Sequence, residues 1–195
     1  MMALCGQDFD YRQVDLPGGE QRRPDYRAIN RFGEVPVLEI DERRICQTGV
    51  ILTYLADRLG RYGGGDAEAR LRIAEWLAWE NQRLLGSVTQ LRFMRNFMKD
   101  TPAAVLAFFG ERAEAAMVQL ERTLDGSDFL AGPEPTIADV AACAYLYWLD
   151  QAGLDAARWP AVGRWLDRIA ALPGWRHPDK LLPRESGTVS FSRAL

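Results

Sequence analysis

Pro36 interrupts the apolar run Val35, Val37, Leu38 where the chain reads as entering a buried strand. Proline has no N–H to give to a sheet ladder, so it is confined to the first residue of a strand, to an edge or to a bulge. The stretch "GEVPVLEIDERRICQTG" (33–49) therefore admits few structures. "VPVLEI" (35–40) reads as a strand, "RRIC" (43–46) as a second, and Asp41 and Glu42 as the tight turn of a hairpin between them. An X–Pro bond is also the one peptide bond whose cis form is cheap: the trans preference is roughly 0.5–1 kcal/mol, against about 3 for other residues. On the residues alone, Pro36 is either a trans proline on an edge strand or a cis proline with a geometric purpose.

The surroundings place this hairpin in a small mixed domain. "DYRQVDL" (10–16) alternates polar and apolar residues and predicts a strand, and the loop after it holds one helical turn at about 24–29. Thr48 opens a helix with Val50, Ile51, Tyr54, Leu55 and Leu59 on its apolar face, and Gly60 ends it. After the glycine run 63–65, everything reads as helix. Residues 66–99 carry a stripe of Leu71, Ala74, Leu77, Leu84, Val88, Leu91 and Met98, with Trp76 and Trp79 on a second one. Thr101 and Pro102 start a helix running to about 124 on Val105, Phe109, Met117 and Leu120. "TIADVAACAYLYWLDQAG" and "WPAVGRWLDRIAALPG" supply two more, and Thr136 with Asp139 has capping-box spacing ahead of the first. The expected architecture is α+β: a small α/β domain over 1–60 and an all-helical domain over 66–195.

Composition narrows the function classes. A 195-residue chain with 48% hydrophobic and 26% charged residues is that of a soluble globular protein. A net charge of −3 gives no reason to expect nucleic acid or an anionic membrane as partner. Three scattered cysteines, Cys5, Cys46 and Cys143, form no C-x-x-C and point to a reducing cytoplasm. With His177 as the one histidine, neither a histidine-rich metal site nor a nucleophile–histidine triad is expected.

Two stretches carry a family resemblance. "INRFGEVPVLEIDERRICQTGVILTYLADRLG" (29–60) resembles the glutathione-binding half of the thioredoxin-like domain of glutathione S-transferases, bacterial members above all. "FLAGPEPTIADVAACAYLYW" (129–148) resembles the loop and buried helix at the centre of their C-terminal helical domain, with "EWLAWENQ" and the closing "ALPGWRHPDKLLP" in agreement. The resemblance implies a cis bond before Pro36, with the backbone N–H and C=O of Val35 turned toward the cysteinyl unit of glutathione. It implies that Thr48 binds the γ-glutamyl carboxylate and that Gln47 contacts the γ-glutamyl end. A helix N-terminus suits that carboxylate, because its first N–H groups lack intrahelical partners. On the residues alone, Thr48 is equally an N-cap. Asn81, Arg92 and Met94 are candidates to face the electrophile. The implied function is transfer of the glutathione sulfur to small electrophiles by a cytoplasmic homodimer, glutathione being the co-substrate. The alternatives are a non-catalytic glutathione-binding or scaffold protein, or a glutathione-dependent isomerase or lyase.

The family begins with a strand and a loop carrying a catalytic Tyr, Ser or Cys at the head of the first helix. Here "MMALCGQDFDYRQVDL" resembles the last turns of that helix running into the second strand, and the first strand and catalytic loop have no counterpart. Tyr11 and Cys5 match no catalytic position, so no catalytic residue is assigned. The expected sheet holds strands near 10–16, 35–40 and 43–46, with an empty or foreign-filled lane between the first two.

Overall fold

The computed structural model describes residues 1–182 and 187–189; Pro183 and the end of the expected helical domain, 190–195, lie outside the described residues. The chain divides into two compact units, Met1–Gly60 with Pro173–Leu195, and Arg61–Leu172.

Unit 1 opens with a short 3₁₀ turn and strand β1 (Phe9–Tyr11), followed by helix α1 (Pro24–Ile29), the hairpin β2 (Val37–Ile40) and β3 (Arg43–Cys46), and helix α2 (Thr48–Leu59). The hairpin register sets Val37 opposite Cys46 and Ile40 opposite Arg43. Asp41 takes a positive φ of 52° in its turn, as two-residue hairpin loops require. Gly60 ends α2 in the left-handed conformation, at φ 63°. Ile51, Leu52, Leu55 and Ala56 are the buried face of α2, whereas Val50, placed on that face by spacing, is 57% exposed.

Two expectations fail in this unit. The strand expected over 10–16 stops at Tyr11. Beyond it the Asp15 N–H is taken by the Glu20 carboxylate at 2.8 Å, a local turn bond in place of a ladder. The strands also form two separate two-stranded sheets, β2 with β3, and β1 with a strand from the other end of the chain, β4 (Gly187–Val189). The all-helical reading of 66–195 therefore does not hold at Gly187–Val189.

Unit 2 is helical: α3 (Ala67–Arg83), α4 (Gln90–Phe97), α5 (Ala103–Asp125), α6 (Ile137–Cys143) and α7 (Pro160–Ala170). The short α8 (Pro178–Leu181) belongs to unit 1. A π-helical stretch, Leu85–Thr89, joins α3 to α4, and the buried stripe runs on through it. The buried residues are Ile73, Glu80, Leu84, Val88, Leu91 and Met94, while Leu71 and Met98 are exposed. Trp165 is fully buried, and Trp76 packs edge-on to Trp79 at 5.1 Å.

Asp139 organises this unit. The capping box forms: the Thr136 N–H donates to Asp139 Oδ2 at 2.8 Å and the Thr136 hydroxyl to the same oxygen at 3.0 Å. The other oxygen, Oδ1, accepts the Leu130 N–H and the Trp165 Nε1–H, both at 2.9 Å. One buried carboxylate thus ties a loop, a helix start and the central tryptophan of α7. Helix α6 ends at Cys143 instead of running on to Gly153, and 3₁₀ turns follow. Tertiary partners hold that stretch instead of a continuous helical ladder. Tyr145 hydrogen-bonds Glu80, Arg92 lies 4.7 Å from the Trp148 ring, and Gln151 receives Arg92 Nε–H at 2.8 Å. Glu121 of α5 caps α7 from outside, accepting the Ala161 and Val162 N–H groups at 2.9 and 3.1 Å.

Candidate glutathione-binding site

The bond between Val35 and Pro36 is cis. Both residues are exposed, contrary to the burial expected for Pro36, because β2 and β3 are paired only with each other among the described residues and leave their ends open.

The approach to Val35 is held from below. Asn30, 1% exposed, donates its side-chain amide to the Glu34 carbonyl at 2.7 Å, and its Oδ1 accepts the Phe32 N–H at 2.9 Å. The buried Tyr26 donates its hydroxyl to the same Glu34 carbonyl at 2.7 Å. Burial, with Cys46 and Glu20 nearby, pushes the Tyr26 hydroxyl above its ordinary value, which keeps it a neutral donor. Two side chains thus fix the peptide immediately before Val35. Sequence reasoning missed both, since a polar residue bonding a loop carbonyl leaves no periodic signal.

Gln47 comes to the same place from the other strand. It takes φ 71° and ψ 120°, a region in which a residue with a side chain is strained, and serves as the N-cap residue of α2 without a side-chain cap bond. Its Nε2 donates to Glu34 Oε2 at 2.9 Å. Thr48 is then the first helical residue, half-buried, and not the cap. The structure thus brings Val35, Pro36, Gln47 and Thr48 to one open corner where the start of β2 meets the start of α2. That corner offers backbone groups of Val35, the Thr48 hydroxyl, the first N–H groups of α2 and the Glu34 carboxylate.

The remaining candidates do not gather. Asn81 is exposed and Met94 is 7% exposed, while Arg92 is engaged with Trp148 and Gln151. Burial pushes the Cys143 thiol up to about 12, consistent with a packing role. Among the described residues no helix is long and apolar enough to cross a membrane.

A mixed α/β, thioredoxin-like region followed by an all-α domain is the class this fold defines, and known proteins agree. The glutathione S-transferase N-terminal domain matches residues 1–58 and the C-terminal domain of the same family residues 103–168. Glutathione S-transferase 3 of Zea mays is 30% identical over 190 residues, covering 91% of this chain and 85% of its own. A maleylacetoacetate isomerase of Pseudomonas aeruginosa is 29% identical, covering 91% and 87%. The crystal structure of a glutathione S-transferase from Xanthobacter autotrophicus Py2 superposes with a TM-score of 0.83 at 33% identity, over 93% of this chain and 91% of that one. The chain belongs to the glutathione S-transferase family.

Proposed function

We propose that this chain binds glutathione at the corner of Val35, Pro36, Gln47 and Thr48 and adds its sulfur to small electrophiles. The observation that carries the reading is the hydrogen bond from Gln47 to Glu34, which brings the two candidate segments together. The Val35 backbone pairs with the cysteinyl unit, and Pro36, having no N–H, adds no competing donor. The Thr48 hydroxyl and the first N–H groups of α2 take the γ-glutamyl carboxylate. Glu34 and Gln47 accept the ammonium of the same γ-glutamyl end, so both charges of the ligand meet a complement.

The sulfur must react as thiolate, and a thiol with a pKa of about 8.5 is only a few per cent ionised at neutral pH. None of the four binding residues is given the task of lowering that pKa, and no catalytic residue is assigned. The family resemblance supports a bacterial, cytoplasmic homodimer. Sedimentation of the purified chain tests the dimer.

A second reading has its own support, in the relative named an isomerase. In an isomerisation the thiol adds to the substrate and leaves again, so glutathione is regenerated; in a conjugation it is consumed. Capture on immobilised glutathione, followed by incubation with a chlorodinitrobenzene, tests the first reading. A glutathione adduct with loss of chloride supports conjugation, and binding without any adduct supports the alternatives of an isomerase or a non-catalytic binding protein. Failure to bind glutathione contradicts all of them.

A further inference from the structure

Between Glu80 and Asp100 the sequence holds no acidic residue but four cations, Arg83, Arg92, Arg95 and Lys99, in a chain whose net charge is −3. Helix α4 carries two of them, Arg92 and Arg95, one turn apart. Like charges at helical-neighbour spacing destabilise a helix unless something of opposite charge meets them. Among the described residues neither guanidinium forms an ion pair with a carboxylate. Asp150, exposed and next in sequence to Gln151, pairs with neither.

Both cations rest on one 3₁₀ turn, Asp150–Ala152, which Gly153 closes. The Arg92 Nε–H donates to Gln151 Oε1 at 2.8 Å, with Arg92 Cζ 4.7 Å from the centre of the Trp148 ring. Arg95 lies against Gly153: a Cβ there would be 2.9 Å from Arg95 Cζ, and φ is 72°, so glycine is what admits the guanidinium. Residues 151 and 153 are separated by roughly 4 Å of rise in such a turn, so one small ligand can span the two cations. The groups on offer are all donors. A guanidinium has five N–H groups, of which Arg92 gives one to Gln151. Because that N–H can only donate, the Gln151 carboxamide turns its oxygen to Arg92 and keeps its NH₂ as a further donor.

We propose that Arg92, Arg95 and the Gln151 NH₂ bind a phosphate dianion, free or carried as a phosphomonoester. Guanidinium forks match phosphate oxygens two at a time, and one dianion balances both cations. The site lies wholly within unit 2, whereas the glutathione corner belongs to unit 1. Calorimetric titration of the full chain at pH 8, in chloride buffer, with inorganic phosphate and with phenyl phosphate tests it. Saturable binding of inorganic phosphate identifies the free anion as sufficient; saturable binding of phenyl phosphate alone identifies a monoester. Arg95 is exposed, so Arg95→Gln keeps the core intact, and it should weaken binding about tenfold or more, as for a lost charged donor. Arg70→Gln, at an exposed arginine of α3, and Thr48→Ala should both bind as the unaltered chain does. No saturable binding of either probe, or equal affinity in Arg95→Gln, overturns the proposal. A loss in Thr48→Ala also overturns it, since the anion would then sit at the start of α2. Nuclear magnetic resonance gives an independent reading: the amide signals of Gln151 and Gly153 should shift as phosphate is added, and unmoved signals contradict the site.

Discussion

The side-chain amide of Gln47 donates to the carboxylate of Glu34 across 2.9 Å, joining the residue before Val35 to the residue before Thr48. Gln47 reaches this position with a backbone φ of 71°. Glycine adopts such a conformation without steric cost, while other residues hold it at about 1–3 kcal/mol. Gln47→Gly is therefore expected to raise the thermal midpoint and to weaken glutathione binding together. Scanning calorimetry and a binding titration check the two signs. A variant that loses stability along with affinity would show that the strained conformation is not what Gln47 contributes.

Asn30 and Tyr26 both hold the Glu34 carbonyl, but they are not equal. Tyr26→Phe removes one donor and leaves the other, so a loss of about 1 kcal/mol is expected. Asn30→Ala removes a buried side chain that both donates and accepts, and leaves the Phe32 N–H without its partner; roughly 2–3 kcal/mol follows. Urea midpoints give the order, and Asn30→Ala should be the one that also loosens glutathione binding. The reverse order would remove Asn30 as the support of this loop.

Thr136→Ala should cost about 1 kcal/mol as the loss of a helix cap. Asp139→Ala should cost about 3 kcal/mol or more, since it strips partners from Thr136, Leu130 and Trp165 at once. Denaturant unfolding with tryptophan fluorescence reads both. Equal losses would mean that the bonds to Leu130 and Trp165 add nothing to the box.

Glu80 gives a pH dependence of defined sign. Burial raises its carboxyl from 4.5 to about 7, against a smaller opposing effect of the hydrogen bond from Tyr145. The folded state thus binds a proton more tightly than the unfolded one. Stability from this group is fully present below about pH 4.5 and is lost as pH rises to 7, by roughly 3 kcal/mol in all. Subtracting the stability curve of Glu80→Gln from that of the unaltered chain isolates the effect. The difference should fall across that window and flatten above it. A flat difference curve would mean that Glu80 is ionised without penalty.

Local features were legible in the sequence, and long-range ones were not. The hairpin around Asp41 and Glu42, the stop at Gly60 and the box of Thr136 with Asp139 are written within a few residues of where they act. Asp139 also bonds Trp165, Glu80 meets Tyr145, and Val189 pairs with Phe9; in each case the partner lies far along the chain, and no spacing rule names it. Val50 and Leu71 were placed on buried faces by period alone, yet both are exposed. Met98 is exposed for a different reason: α4 ends at Phe97, and Met98 takes extended backbone at φ −102° and ψ 132°, off the helical stripe. At the candidate site, the residues themselves were legible through the family resemblance, while the support from Tyr26 and Asn30 was not.

Calorimetric titration of glutathione into the unaltered chain and into Thr48→Ala tests the central claim most directly. Saturable binding to the unaltered chain is predicted, weakened in the variant by roughly 1–3 kcal/mol, as for a lost hydrogen bond to a charged group. Thr48 does not cap α2, so the thermal midpoint should stay nearly unchanged. Identical affinities, or no heat of binding in either protein, would contradict the account.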